Sequence, residues 1–242
     1  MIEIEAIKKL AVKYQTREEN IIREYLQHFF LSVFYKQKES RGILFKGGTA
    51  LRIIYGSPRF SEDLDFSFSL ALKKQAIENA FLETVSKISE SGIEINIKDS
   101  KITSGGYLGE IFYNLYGFKG CILFEVSSRK IKRNLSQETT TIVSEFFPPY
   151  IIEHLAASKI VEEKILALLE RKKPRDFYDL YFILRHPLLR TYVPRNKIEE
   201  LNKLVIKGKV NFARELKTFL PLSHQSILKN FKKNLLKELA GI

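Results

Sequence analysis

One cysteine in 242 residues, Cys121, leaves no partner for an intrachain disulfide and no second thiolate for a zinc site. Glycine (12) and proline (7) are sparse, which removes collagen-like and low-complexity classes, and 45% apolar with 28% charged residues is the balance of a chain that folds around a core. No apolar run approaches the ~18 residues that span a bilayer, and the opening MIEIEAIKKLAVKYQ is broken by charge throughout, unlike a signal peptide. The expectation is a soluble, cytoplasmic protein with no membrane attachment. Histidine is scarce as well: His28, His154, His186 and His224 form no i,i+4 pair, which disfavours a histidine-based metal hydrolase. At ~150 residues per typical domain, the length fits one large domain or two small packed ones.

Positive charge is abundant. Lys and Arg number 40 against 28 Asp and Glu, a net of +12, and such an excess points to phosphate-rich partners. It is concentrated at one end: residues 185–242 hold 13 basic and 4 acidic residues, a net of +9, whereas 1–184 carry 27 and 24, a net of +3.

Periodicity predicts helices at the N-terminus, the second opened by a capping box of Thr16 and Glu19 and carrying Ile21, Ile22, Tyr25, Leu26, Phe29, Phe30 and Val33 on its apolar side. A short strand over 43–45 runs into Lys46-Gly47-Gly48-Thr49 and a following helix. Residues 63–68 and 93–98 alternate with period two, a helix at 72–90 lies between them, and YLGEIFYNLYG and CILFEVS supply two more strands. Pro148-Pro149 breaks the pattern, and helices are expected at 153–171, 176–185, 196–207, 211–220 and 224–239. The reading is an α+β domain over 1–148, including the N-terminal helices, and a helical, basic lobe over 149–242, packed together.

Asp63 and Asp65, at i and i+2 of a strand, project from one face, with Leu64 and Phe66 on the other. Paired carboxylates repel unless a cation intervenes, and oxygen ligands beside a phosphate substrate are the usual seat of Mg²⁺; ordinary surface aspartates are the alternative. Upstream, Lys46-Gly47-Gly48-Thr49 opens a helix and offers unpaired backbone N–H groups with no Cβ in the way, a phosphate cradle, or else a plain tight turn with Thr49 as N-cap. Neither GxxxxGK[ST] nor GxGxxG is present, which disfavours P-loop and Rossmann chemistry. Glu125 falls on the side of its strand shared with Cys121 and Leu123, as a third metal ligand or as a strand-end glutamate reaching solvent. At about 100° per residue, Ala157, Ile160, Val161, Ala167 and Leu168 lie within about 60° of Lys164, so this lysine points inward, with Arg171 on the same face. A cation there needs an anion, at a domain seam or in a site, or must snorkel to water. In the next helix Asp176 fits an N-cap or first-turn charge, whereas Asp179, one turn deeper, has no such explanation.

KGGTAL at 46–51, RFSEDLDF at 59–66 and EEKILALLERKKPRDFYDLYFIL at 162–184 together resemble the nucleotidyltransferase toxins of the AbiEii/AbiGii family, which includes MenT-type toxins. The resemblance covers roughly residues 40–185. It implies a polymerase-beta-like core, a helical C-terminal lobe completing the active site, and transfer of a nucleotide from an NTP with Mg²⁺ or Mn²⁺. In that likeness Gly48 and Thr49 grip the triphosphate, with Lys46 and Gly47 beside them, and Arg59 and Ser61 belong to the nucleotide-binding set. Asp63 and Asp65 fall on the metal-binding carboxylates, Glu125 on the third, and Lys164 on a triphosphate-contacting lysine. Arg171 joins the nucleotide-binding positions, and Asp176 and Asp179 fall on the acidic positions of the last motif, Asp176 positioning Lys164 or the nucleotide. The resemblance further implies a separately encoded antitoxin and an RNA acceptor, tRNA 3′ ends, which suits the basic tail. Two rivals remain: a non-catalytic nucleic-acid-binding module that keeps the fold, against which the intact carboxylate pair argues, and a transferase acting on protein or a small molecule.

Overall fold

The computed structural model describes residues 1–68, 73–128, 136–208 and 210–242, which divide into two compact units. The first comprises Met1–Gly56 and Phe60–Leu155; the second comprises Ser57–Arg59 and Ala156–Ile242.

The first unit is built on a seven-stranded mixed sheet. Its strands are β1 (Ile43–Lys46), β2 (Leu64–Phe68), β3 (Glu94–Thr103), β4 (Gly106–Leu115), β5 (Phe118–Ser128), β6 (Gln137–Ile142) and β7 (Tyr150–Leu155), in the spatial order β3-β4-β5-β2-β1-β7-β6. The β2/β5 and β1/β7 pairs are parallel and the remainder antiparallel. Helices α1 (Ile4–Lys13), α2 (Glu18–Phe34), α3 (Gly47–Tyr55) and α4 (Lys74–Ser89) complete the unit. Alternation along β2 and β5 sends Leu64, Phe66, Phe124 and Val126 into the core. There Phe66 meets Phe124 at 4.8 Å between ring centroids and Phe34 of α2 at 5.5 Å, while Phe81 of α4 meets Phe124 at 5.1 Å. Burial of each such ring contributes roughly 1.5–3 kcal/mol. The opposite face of the same two strands is thereby left for polar residues.

The second unit is helical: α5 (Ala157–Arg171), α6 (Pro174–Arg185), α7 (Ile198–Lys207), α8 (Phe212–Phe219), α9 (Leu222–Gln225) and α10 (Phe231–Leu239). Leu168, Phe177, Ile183, Leu201, Leu216 and Phe231 form its core. Lys172, with φ of 55°, ends α5 in the left-handed conformation, and Pro174 starts α6 two residues later, which makes a tight helical hairpin.

Four expectations need correction. The helix predicted over 153–171 begins only at Ala157, because Tyr150–Leu155 alternates buried and exposed positions and pairs with β1 and β6. The division between units therefore falls at residues 155/156 rather than at 148, and residues 57–59 join the second unit. Thr16 does not cap α2: the helix starts at Glu18 without a side-chain cap, and the Thr16 hydroxyl accepts from Asn20 Nδ2 at 2.9 Å. The helix expected over 224–239 is broken by a 3₁₀ segment, Ser226–Asn230, before α10.

Candidate active site

In the first unit the site is a row across neighbouring strands. Lys46 at the end of β1 stands opposite Asp65 of β2, and Asp65 is in register with Glu125 of β5, so a lysine and two carboxylates lie side by side on the face away from the aromatic core. Lys46 is largely buried, and its Nζ donates to Ser127 Oγ at 2.8 Å. This cation is held in place beside the carboxylates by the next outward residue of β5.

The glycine turn meets the same row. Gly47 opens α3 with φ of +85°, a conformation that L side chains rarely adopt. A Cβ built on it would stand 2.8 Å from both Cβ and Cγ of Asp65, and closer still to Oδ2. The Asp65 carboxylate thus sits against the first turn of α3, where unpaired N–H groups and the helix dipole favour negative charge. Thr49 is buried, and its hydroxyl donates to the backbone carbonyl of Asp63 at 2.5 Å. In this structure Thr49 therefore positions the residue that leads into β2, and of residues 46–50 only Gly47 is not buried.

Sequence reasoning missed Gln27 and the Arg52–Glu24 pair. Gln27, buried on α2, donates from Nε2 to the carbonyls of Ser61 and Glu62, both at 3.0 Å, and so fixes the segment before Asp63. Arg52 of α3 holds Glu24 of α2 through Nε at 2.5 Å and Nη2 at 2.9 Å, and its guanidinium lies 3.5 Å from the Phe60 ring centroid. The available signal was a glutamine and a glutamate within the apolar stripe of α2, where burial demands partners.

In the second unit the inward-pointing lysine has its anion. Lys164 of α5 donates to Asp179 Oδ2 of α6 at 2.7 Å, and Arg59 grips the same carboxylate from Nε at 2.9 Å and Nη2 at 3.1 Å. Asp179 is 1% exposed. Burial alone would raise its pKa, but Arg59, followed by Lys164, holds the carboxyl below its ordinary value. Of the two roles expected for Asp176, positioning Lys164 or the nucleotide, the first is filled by Asp179. Asp176 accepts from Arg171 Nη2 at 2.7 Å and from the Lys173 backbone N–H at 3.2 Å, so it caps α6.

Among the described residues no three or more His, Cys, Asp or Glu side chains form a ready metal cage, so Asp63, Asp65 and Glu125 are not assembled as one. The donors nevertheless fit Mg²⁺, a hard cation that binds through one or two carboxylates and completes its shell with water and substrate phosphates. Asp63 and Asp65 are the residues that would hold it, with Glu125 adjacent in register.

Among solved structures, JHP933 from Helicobacter pylori superposes with a TM-score of 0.64 at 20% identity, over 93% of this chain and 92% of that one. MenT4, a nucleotidyltransferase toxin from Mycobacterium tuberculosis, gives 0.64 at 18% identity, over 99% and 89%. At these identities the likeness establishes the fold alone, a mixed α+β architecture. No curated protein matches the chain. Among the described residues no helix is long and apolar enough to cross a membrane. The model of the family described as nucleotidyl transferase AbiEii toxin, type IV toxin–antitoxin system, matches residues 30–235, and the chain belongs to that family of nucleotidyltransferases.

Proposed function

We propose that this chain transfers a nucleotide from an NTP to an RNA acceptor, the 3′ end of tRNA, in the cytoplasm, with a divalent cation, Mg²⁺ or Mn²⁺. The observation that carries the reading is the Asp65 carboxylate lying against Gly47 at the first turn of α3, with Glu125 in register beside it and Lys46 opposite. Two carboxylates, a fixed cation and a helix N-terminus close together support a reading of triphosphate chemistry.

When bound, the metal supplies positive charge that neutralises triphosphate oxygens. The Gly47 and Gly48 amides and the Lys46 ammonium take up the charge that grows on the departing pyrophosphate. Asp65 or Glu125 accepts the proton of the acceptor hydroxyl as its oxygen bonds to the α-phosphorus and the bond to the β-phosphate oxygen breaks. Arg59 and Lys164, both joined to the buried Asp179 carboxylate, are the nucleotide-binding cations of this reading. Arg171 and Asp176 brace the α5–α6 hairpin that carries Lys164 and Asp179. Family membership implies an antitoxin partner, encoded separately in this reading.

The test is incubation of the purified protein with total tRNA, Mg²⁺ and each α-³²P-labelled NTP in turn, beside an Asp63→Ala/Asp65→Ala control. Label on tRNA with one NTP, absent in the control, is the expected result. Label on a protein band instead would replace the acceptor, and tRNA binding without any labelling would leave a non-catalytic module.

A further inference from the structure

The second unit contains a groove of about 720 Å³ beside α8 and α10. Phe212, Leu228 and Leu236 give it an apolar lining, and Lys229, Lys232 and Lys233 give it three cations. Lys229 and Lys233 are exposed, while Lys232 is anchored by donating from Nζ to the Ile206 carbonyl at 2.5 Å. Among the described residues these positive charges are not neutralised locally. All four acids of residues 185–242 are engaged by other cations: Glu199 by Lys203 at 2.6 Å, Glu200 by Lys197 at 2.8 Å, Glu215 by Arg175 at 3.6 Å and Glu238 by Arg185 at 3.8 Å. Among the described residues, no carboxylate forms an ion pair with Lys229, Lys232 or Lys233.

We infer that this groove holds the sugar–phosphate backbone of the RNA acceptor, with Lys229, Lys232 and Lys233 on phosphate oxygens and ribose against Phe212, Leu228 and Leu236. The inference rests on RNA being the acceptor and goes beyond that reading by giving the backbone a place. Lysine carries a compact point charge on a flexible stem, which follows phosphate oxygens along a backbone without a fixed fork geometry. Contacts of this kind fix position without reading sequence, and they release counterions from the polyanion, so binding weakens as salt rises. A +9 tail whose acids are already paired suits an extended polyanion better than a compact anion.

The experiment measures fluorescence anisotropy of end-labelled tRNA with the full chain across a KCl series. The variants are Lys229→Gln/Lys233→Gln and, as a control of equal charge change, Lys8→Gln/Lys9→Gln on the exposed first turns of α1. The groove variant is expected to bind about tenfold more weakly at moderate salt, with its log Kd against log[KCl] slope reduced by roughly 1.4–1.8, the loss of two phosphate contacts at about 0.7–0.9 each. The α1 variant should match the wild type. Both replacements are at the surface, and equal melting temperatures confirm that folding is not the cause. Wild-type affinity and slope in the groove variant would overturn the groove assignment while leaving the RNA reading standing. Absence of RNA binding by the wild type would overturn both. Unchanged RNA binding together with lost binding to poly-L-glutamate would reassign the groove to an acidic protein partner.

Discussion

Asp65 fills the space that a side chain at Gly47 would need. The two residues come from different elements, the first turn of α3 and the strand β2, and they pack so closely that only a residue without Cβ fits. The carboxylate is thereby fixed at a helix N-terminus, with Lys46 across the β1/β2 pair and Glu125 across the β2/β5 pair. Gly47→Ala should therefore act on Asp65 as well as on the backbone. The left-handed φ alone costs about 1–3 kcal/mol, and displacement of the carboxylate should lower nucleotide transfer at least 100-fold. Transfer rates and urea unfolding of the same preparation separate the two effects.

Thr49 offers a sharper separation. Its hydroxyl supports the Asp63 carbonyl at 2.5 Å, so Thr49→Ser should retain both stability and transfer. Thr49→Val keeps the shape and leaves that carbonyl without its donor, at a cost of about 1–3 kcal/mol, and should slow transfer through misplacement of Asp63. Equal behaviour of the two variants in unfolding and rate measurements would contradict a positioning role for the hydroxyl.

The two acids of α6 should respond differently. Asp179→Ala leaves Arg59 and Lys164 buried without their carboxylate, and a broken buried pair costs about 3–5 kcal/mol. Asp176→Ala removes a helix cap and one contact to the half-exposed Arg171, for about 0.5–2 kcal/mol. Denaturant unfolding ranks them. The lowered pKa of Asp179 also sets a sign: its stabilisation is complete above the unfolded carboxylate range, near ~3.9, and is lost as pH falls through the folded value.

His28 governs a higher pH window. Burial, with a further contribution from Arg52, pushes its pKa down to about 3, and its Nδ1 lies 2.7 Å from the Tyr150 hydroxyl. The unfolded chain takes up this proton below about pH 6.5 and the folded chain does not, so stability present above that pH declines as pH falls toward 3, by at most about 1.4 kcal/mol per unit. Between pH 7 and 5 the wild type should lose up to about 2 kcal/mol more than His28→Gln, measured by urea unfolding at both pH values.

Much of this is legible in the sequence. The strand–glycine turn–helix at 43–55 and the alternating DLDFSF announce themselves because their apolar periods are short, regular and bounded by glycine or polar residues. The inward direction of Lys164 also followed from helical spacing, and Asp179 supplies the anion it required. The edge strand β6 was not legible, because of QETTTI only Ile142 is buried and no apolar alternation marks it. Strand β7 was hidden because Glu153 and His154 continue into a strongly helical sequence, and only pairing with β1 and β6 fixes it as extended. Gln27 and Arg52 were missed for a different reason: their partners are backbone carbonyls and a carboxylate brought close by tertiary packing alone.

The most direct test of the Asp65 site is the rate of pyrophosphate release with NTP, Mg²⁺ and tRNA, measured alongside label incorporation for the wild type and Asp65→Asn. The variant is nearly isosteric and keeps the contact with Gly47 while removing the charge. The prediction is tRNA-dependent release in step with labelling by the wild type, and a loss of at least 1,000-fold in Asp65→Asn with unchanged melting temperature. Release and labelling at wild-type rates in that variant would contradict the assignment of Asp65 to the reacting centre.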